Sequence, residues 1–199
     1  MRRSAPPKPP VVLGMLALLA LLGLTASAGC SSPTEPATAS ATAAPSASTD
    51  AAPTDAAWVQ LMTPMNEKAV ALLALAADRA AEPRLRAFAT RLRSAQEGEL
   101  GRLRPLLARM GLPDTDVHAG HDMPGMVTEQ DLEAAEAAEG AAFDRLLLAR
   151  IRDHLRQSAQ VSRSEIAAGE RADAKRLAAA LVTAREAALT ELEGLPVAG

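Results

Sequence analysis

The sequence has almost no cysteine and few aromatic residues, and each scarcity excludes a class of protein. A single cysteine among 199 residues cannot form an intramolecular disulfide, a Cys-x-x-Cys zinc site or an iron–sulfur cluster. Aromatic residues make up 2% of the chain, with no Tyr, which argues against an all-β sandwich and a base-stacking nucleic-acid module. Alanine, leucine, arginine and glutamate dominate instead, so we expect a helical protein.

The first thirty residues have the pattern of an export signal. Cationic residues precede an apolar run over residues 11–24, which is too short to span a bilayer comfortably but is typical of a signal peptide. The small residues that follow permit cleavage after Ala28, or before Cys30 in a sequence that resembles a bacterial lipobox. We favour the second, with residues 1–29 as a lipoprotein-type signal peptide and an acylated Cys30 that anchors the protein to an extracytoplasmic membrane surface. Cleavage after Ala28 would give a secreted soluble protein.

The segment after Cys30 is predicted to be a disordered tether. Residues 31–56 are mostly Ala, Ser, Thr and Pro and contain no aliphatic side chain larger than alanine, so nothing repays the entropy of ordering them. We therefore place the anchor and linker at 30–56 and the folded domain at 57–199. Removing residues 1–29 takes away three cationic residues and no acidic one, which leaves 18 cationic and 24 acidic residues. The resulting charge of −6 argues against nucleic acid as a partner.

Apolar residues recur at helical spacing in four stretches of the domain. The first stretch begins at Trp58 or at Thr63–Pro64, and the third is broken or bent at Gly140. Pro105 predicts a bend in the second stretch. Short turns and one longer middle connection join the stretches, so the economical fold is an all-α antiparallel four-helix bundle. The later helices are predicted from Pro83 to Met110, from Thr128 toward Gly169, and from about Arg171 to Glu193.

The domain repeats itself at a spacing of 89 residues. This shift aligns residues 84–103 with residues 173–192 and matches six identical residues in twenty, all at helical spacing. It also places Met65 on His154. The repeat predicts that the bundle is built from two copies of one helical hairpin.

Candidate metal ligands cluster in the middle connection, where two imidazoles and two thioethers fall within nine residues. Thioethers select soft ions such as Cu(I), and imidazoles suit copper, so a flexible loop of this composition can wrap a copper ion. Zinc is less expected because no thiolate is available. The alternative is a solvated polar loop whose methionines pack on the bundle. The loop ligands are His118, His121, Met123 and Met126, and a weaker second group consists of Met62, Met65 and His154.

Nothing in the sequence indicates catalysis, so we expect a protein that is not an enzyme. His154 lies on an apolar stripe, where a histidine is more often a hydrogen-bonded core residue than a ligand. No histidine follows a glutamate by three residues, so a ferritin-type di-iron centre is not encoded. Nucleophile elbows, Walker loops and dinucleotide fingerprints do not occur. The carboxylates of Glu97, Glu99, Glu133, Glu136 and Glu139 are interpreted as solvated.

A Met-Pro-Gly-Met turn, the helix after it and a Phe-Asp-Arg-Leu sequence follow one another between Met123 and Leu148. With three further stretches, this order resembles the ferritin-like domain-of-unknown-function 305 family over residues 58–193. The resemblance implies an exported bacterial protein, often a lipoprotein, with a duplicated helical hairpin, and some members are associated with copper or silver handling. The stretches are Met62–Val70, Gln96–Leu100, His121–Thr128 and Gly140–Leu148.

The same resemblance implies bundle signatures that this chain has partly lost. The family's paired histidines fall on Met65 and Asn66 in the first half and on His154 and Leu155 in the second, so one histidine of four survives. The family's Gln-x-x-Glu is kept in the first half and replaced in the second. It falls on Gln96 and Glu99, and on Arg185 and Ala188.

Two functions are compatible with these patterns. The first is a module that binds Cu(I) or Ag(I) through the loop, on a lipid-anchored bundle. The second is a divergent surface lipoprotein that serves as a scaffold for an unidentified protein partner and whose remaining ligands are incidental. The second function predicts an exposed apolar patch on the bundle, large enough to be an interface.

Overall fold

The computed structural model describes residues 52–195, and the all-α prediction is confirmed there. The predicted signal peptide, Cys30 and residues 31–51 of the predicted tether lie outside the described residues. Within residues 52–195, no helix is both long enough and apolar enough to cross a membrane. The helices are α1 (Pro53–Arg79), α2 (Pro83–Arg109), α3 (Glu129–Ala137), α4 (Gly140–Ala168) and α5 (Ala172–Glu193).

Helix α1 starts earlier than the sequence predicts. It begins at Pro53, inside the segment predicted as tether, because a proline fits the first turn of a helix and Asp55 is buried against the rest of the domain. The helix continues through Pro64, so the alternative start at Thr63–Pro64 is wrong. The hydroxyl of Thr63 donates to the carbonyl of Val59 at 2.8 Å, within the turn that the proline interrupts.

The predicted third helix is two helices, which separate at residues 138–139. Thr128 and Asp131 form the predicted capping box at the start of α3, with the Asp131 amide donating to the Thr128 hydroxyl at 3.1 Å. Next to the break, Arg79 at the end of α1 donates to the carbonyls of Ala135 and Ala138. Its guanidinium also lies 5.4 Å from the ring centre of Phe143. These contacts fasten the short helix α3 to the bundle.

The duplicated hairpin is confirmed, and the 89-residue shift relates its two copies. Helices α1 and α2 form one hairpin, and α4 and α5 form the other. The last residues of α1 and α4 are 89 positions apart, and so are the first residues of α2 and α5. The carboxylate of Asp144 accepts the amides of Ala81 and Glu82 in the α1–α2 turn, at 2.9 and 3.0 Å. Its counterpart, Asp55, accepts the amides of Glu170 and Arg171 in the α4–α5 turn. Each hairpin therefore holds the turn of the other.

Two apolar clusters form the core, with buried polar residues between them along the long helices. One cluster gathers around Leu72, Phe88 and Phe143. The other contains Trp58 and five methionines, of which Met123 is partly buried. The four buried methionines are Met62, Met65, Met110 and Met126.

Candidate functional site

A layer of polar side chains crosses the interior between the two apolar clusters. Each long helix contributes at least one member, and every member is at most 2% exposed. Buried polar groups of this kind are costly unless they satisfy one another. The polar layer consists of Asn66 from α1, Gln96 and Glu99 from α2, His154 and Ser158 from α4, and Arg185 from α5.

The guanidinium of Arg185 lies at the centre of the polar layer. It donates to both carboxylate oxygens of Glu99, at 2.8 and 2.7 Å, in a bidentate ion pair. It also donates to the amide oxygen of Asn66 at 2.9 Å and to the hydroxyl of Ser158 at 2.9 Å. The amide nitrogen of Asn66 completes the ring by donating to Glu99 at 2.8 Å. Oxygen atoms from three helices, α1, α2 and α4, thus surround the positive charge of Arg185.

The interpretation of Glu99 as a solvated carboxylate is wrong. Its side chain is 2% exposed, because it lies on the α2 face that also carries Gln96 and Leu103. The other four glutamates in that set are exposed, as predicted. Arg185 is another member of the polar layer that the sequence did not identify as functional. It lies one helical turn from Leu181 on the inner face of α5. A charged residue at an apolar helical position was the available signal in both cases.

His154 is a hydrogen-bonded core residue, as expected for its position. It is fully buried, and the amide nitrogen of Gln96 donates to its Nε2 at 3.1 Å. Burial and the positive charge of Arg185 lower the pKa of His154 to about 3, while the backbone of Gly125 acts in the opposite direction. The imidazole is therefore neutral. The side-chain oxygen of Gln96 has no hydrogen-bond partner among the described residues.

The residues of the bundle centre do not fit a metal ion. A guanidinium already balances Glu99, the carboxylate of the polar layer, and a second cation there would be repelled. Met62 and Met65, the other members of the weaker ligand group, are buried in the apolar cluster around Trp58. The sulfur of Met62 accepts a weak contact from the Ser162 hydroxyl at 3.9 Å. The weaker group therefore lies in the buried core.

The middle connection places the four predicted loop ligands in different environments. His121 is exposed, His118 and Met123 are half-buried, and Met126 is 5% exposed. His121 and Met126 line one open cleft of about 400 Å³, together with Asp122 and side chains of α1, α3 and α4. Met123 lines a neighbouring cleft together with Met126, and His118 lines neither. Met126 thus lines both clefts, with His121 in the first and Met123 in the second.

The methionines of the loop also pack on the bundle, as the alternative interpretation predicted. Met126 belongs to the methionine-containing cluster, and its sulfur lies 3.9 Å from the ammonium of Lys68. Asp116 holds that ammonium in a 3.1 Å ion pair. Nowhere in residues 52–195 do three or more His, Cys, Asp or Glu side chains gather in a group that could hold a metal ion.

Gly125 fixes the position of the loop against α4. Its φ angle is +72°, a backbone conformation that residues other than glycine rarely adopt. An added Cβ would lie 2.8 Å from the carbonyl oxygen of Asp153 and would collide with the side chain of Gln157. The backbone of the Met-Pro-Gly-Met turn thus touches the helix surface directly, next to the buried His154.

A second buried acid, Glu165, faces Asp55 where α1 meets the end of α4. Both are at most 1% exposed. Burial, together with the hydrogen bond to Asp55 and its negative charge, raises the pKa of Glu165 to about 8, against a smaller lowering effect of Lys175. Burial opposes the ionisation of Asp55, but hydrogen bonds from Glu165 and from backbone amides prevail and lower its pKa. A proton on Glu165 supplies the donor that joins the two carboxyl groups.

This acid pair predicts that stability falls between pH 6.5 and 8. The folded state keeps a proton on Glu165 that the unfolded chain, with its pKa near 4.5, has released, so rising pH favours unfolding until Glu165 ionises in both states. The low pKa of His154 offsets this loss by only about 0.4 kcal/mol above pH 6.5, because its imidazole is neutral in the folded state and titrates near 6.5 in the unfolded chain. The expected loss is about 1–2 kcal/mol. Urea unfolding of the wild type and of Glu165→Gln, which keeps a donor toward Asp55, measures it, and an equal slope with pH in both would contradict the assignment.

Two comparisons with known proteins agree on one family. The family described as Domain of unknown function (DUF305) matches residues 55–195. A crystal structure from Streptomyces coelicolor, provisionally described as a secreted DUF305 protein, is 21% identical with a TM-score of 0.62, and the match covers 70% of this chain and 89% of that one. A DUF305 fragment from Deinococcus radiodurans is 20% identical with a TM-score of 0.64, covering 72% of this chain and 95% of that one. No curated protein sequence matches the chain. At these identities the two structures show the fold alone.

Proposed function

The chain belongs to the DUF305 family, and we propose that it is an extracytoplasmic, lipid-anchored bundle that binds and buffers a soft metal ion through its His/Met loop. The observation that carries the proposal is that His121 and Met126 line one open cleft, whereas Arg185 occupies the bundle centre. Cu(I) and Ag(I) are the ions of choice, because a thioether and an imidazole are the donors offered. This is a binding role, and no catalytic step is assigned to it.

The surroundings of Met126 set the strength of binding. Met126 is 5% exposed and its sulfur lies against the Lys68 ammonium, so an incoming cation must displace that charge. Asp116 can retain the ammonium through its ion pair while the sulfur turns toward the cleft. Asp122 lines the same cleft and adds a negative charge near the ion. These features support a moderate, reversible affinity, which suits a buffer.

The export signal and Cys30 support the cellular location. The segment before Cys30 resembles a lipobox, and the Streptomyces coelicolor protein of the same fold is provisionally described as secreted. A lipid on Cys30 would hold the domain near a membrane through the following tether. Cys30→Ser is expected to move the protein from the membrane fraction to the soluble fraction of cells. Retention of this variant on the membrane would contradict anchoring through Cys30.

A protein scaffold is less well supported. That function predicted an exposed apolar patch on the bundle, but Val117, at 47%, is the single exposed large hydrophobic side chain in the described part of the chain. Isolated surface residues of this kind are ordinary and do not form an interface. The surface of the domain therefore favours the metal-binding function over an apolar docking function.

A competition titration with Cu(I) and a colorimetric chelator tests the proposal. The chain carries Cys30→Ser throughout, so that the thiol does not bind the ion. His121→Ala and Met126→Leu are each expected to weaken binding at least about tenfold, because each removes a donor from the cleft. His118→Ala is the matched control and should change little, whereas Lys68→Gln should strengthen binding. Unchanged affinity in a variant lacking His121 and Met126 would refute the proposal.

A further inference from the structure

We infer that the buried acids Asp55 and Glu165 form a pH-sensitive latch, which releases the first turn of α1 from the α4–α5 turn as the pH rises. The inference is independent of the metal-binding loop. It rests on the place of the two carboxyl groups in the fold, on the backbone that Asp55 holds, and on the other hairpin turn of the domain, where the second acid is replaced.

The latch lies at the end of the bundle where the described domain begins. Asp55 is in the first turn of α1, and Glu165 is in the last turn of α4. The carboxylate of Asp55 accepts the amides of Glu170 and Arg171 at 3.2 and 3.1 Å, so it joins the start of α1 to the α4–α5 turn. Loss of these two hydrogen bonds would separate the two segments.

Little else holds the first turn of α1 in place. Within residues 52–57 only Asp55 is buried, and Ala52 gives the helix no side-chain cap. Trp58, one turn later, has its own attachment to α4, because its indole nitrogen donates to the hydroxyl of Ser162 at 3.3 Å. The first turn can therefore leave α4 while the rest of α1 stays packed.

Ionisation of Glu165 is the event that opens the latch. The hydrogen bond between the two acids needs a proton, and burial and the charge of Asp55 keep it on Glu165 by raising its pKa to about 8. The carboxyl group of Glu165 is packed against the turn, since a Cβ added to Gly169 would collide with it. Two ionised carboxylates at this buried position repel one another, and opening exposes both to water.

No other group at this end of the bundle changes its charge between pH 5.5 and 7.5 on opening. The charged neighbours are Asp55 on α1, Arg109 on α2, Glu170 and Arg171 in the turn, and Asp173 and Lys175 on α5. Hydrogen bonds and Arg171 lower the pKa of Asp55 and of Asp173, and arginine and lysine are cationic throughout this range. Glu170 is already exposed. The response is therefore that of Glu165 alone.

The proton released on opening fixes the size of the response. The pKa of Glu165 is about 8 in the closed form and returns toward 4.5 when the side chain meets water. The opening equilibrium constant should therefore rise nearly tenfold per pH unit, or about 70-fold between pH 5.5 and 7.5. Above pH 8 the closed form is itself ionised, and the rise levels off.

The other hairpin provides an internal control. The 89-residue shift places Asp144 on Asp55, and the fully buried Ala76 on Glu165. Asp144 holds the two corresponding amides of the α1–α2 turn, but it does so beside a methyl group instead of an acid. The two turns thus share one mechanism of attachment, and only the α4–α5 turn should respond to pH.

The opening would lengthen the predicted tether. The five residues 53–57 come directly before Trp58, and in extended form they span up to about 17 Å. On the lipid-anchored chain proposed above, the domain would gain this reach from the membrane surface. The latch itself does not depend on the anchor.

Hydrogen exchange measured by NMR tests the inference in the full chain carrying Cys30→Ser, which prevents oxidation of the thiol. Protection factors of the Glu170 and Arg171 amides should fall about 70-fold between pH 5.5 and 7.5. Those of Ala81 and Glu82, the matched amides of the α1–α2 turn, should fall about sevenfold at most. That smaller change is the effect of Glu165 on global unfolding, reduced by the opposite effect of His154.

Glu165→Gln identifies the group responsible, because glutamine keeps a donor toward Asp55 and does not titrate. In this variant the protection of Glu170 and Arg171 should change less than about twofold over the same range. Equal falls at the two turns of the wild type would overturn the inference, since the domain would then open as a whole. A pH-independent α4–α5 turn in the wild type, or an unchanged pH dependence in Glu165→Gln, would overturn it as well. If the variant does not fold, the comparison of the two turns in the wild type still decides.

Discussion

Arg185→Ala is expected to destabilise the domain by about 3–5 kcal/mol, the usual cost of leaving a buried charge without its partner. The variant strips Glu99 of its cation and also leaves Asn66 and Ser158 without the donors they now accept from. Because the side chain is fully buried, water cannot take the place of the guanidinium without opening the core. Urea denaturation at pH 7 measures the loss as a lower midpoint.

Arg163→Ala is the matched control for this prediction. Arg163 pairs with Glu186 at 2.7 Å, a distance like that of the buried pair, but both side chains are about half exposed. Exposed pairs contribute about 0–1 kcal/mol, so this variant should remain close to wild type. Equal losses for Arg163→Ala and Arg185→Ala would show that the polar layer does not depend on the charge of Arg185.

Gly125→Ala is expected to cost about 2–5 kcal/mol and to detach the loop from α4. The estimate combines the strain of a side chain at a φ of +72° with the overlap that a Cβ makes with Asp153 and Gln157. Movement of the turn would expose Met126 and change the cleft it shares with His121. Chemical denaturation gives the stability, and the rate of Met126 oxidation by peroxide reports its exposure.

Gly120→Ala separates backbone strain from the collision. Gly120 has a φ of +80°, but an added Cβ there would meet no atom within 4 Å. Its variant should lose only about 1–2 kcal/mol and keep Met126 protected. If Gly125→Ala were no more destabilised than Gly120→Ala, the contact between the turn and α4 would not be the feature that positions the loop.

Much of the fold was predictable because its signals are local. Pro83 begins α2, and Thr128 and Asp131 cap α3, since both devices act within one helical turn. The 89-residue repeat predicted the duplicated hairpin, because the repeat is visible in the sequence alone. The start at Pro53 was missed because the first turn of α1 is composed like a tether, and its burial depends on contacts with the distant α4–α5 turn.

The candidate site was predictable only in part. Sequence proximity identified His121 and Met126, but the direction of each side chain decided that His118 does not share their cleft. Glu99 and Arg185 are separated by 86 residues, so neither helix alone reveals that its charge is buried and paired. A charged residue on an apolar stripe is interpreted as solvated until the partner on another helix is known.

The central claim is that a soft metal ion binds at the loop cleft and not in the bundle centre. Methyl spectra of protein with 13C-labelled methionine, titrated with Ag(I), test this most directly, because five methionines of the described domain report from different depths. We expect Ag(I) to shift the Met126 methyl at one equivalent and to leave Met62 and Met65 unchanged. Shifts of Met62 and Met65 with an unchanged Met126 would place the ion in the interior and contradict the claim.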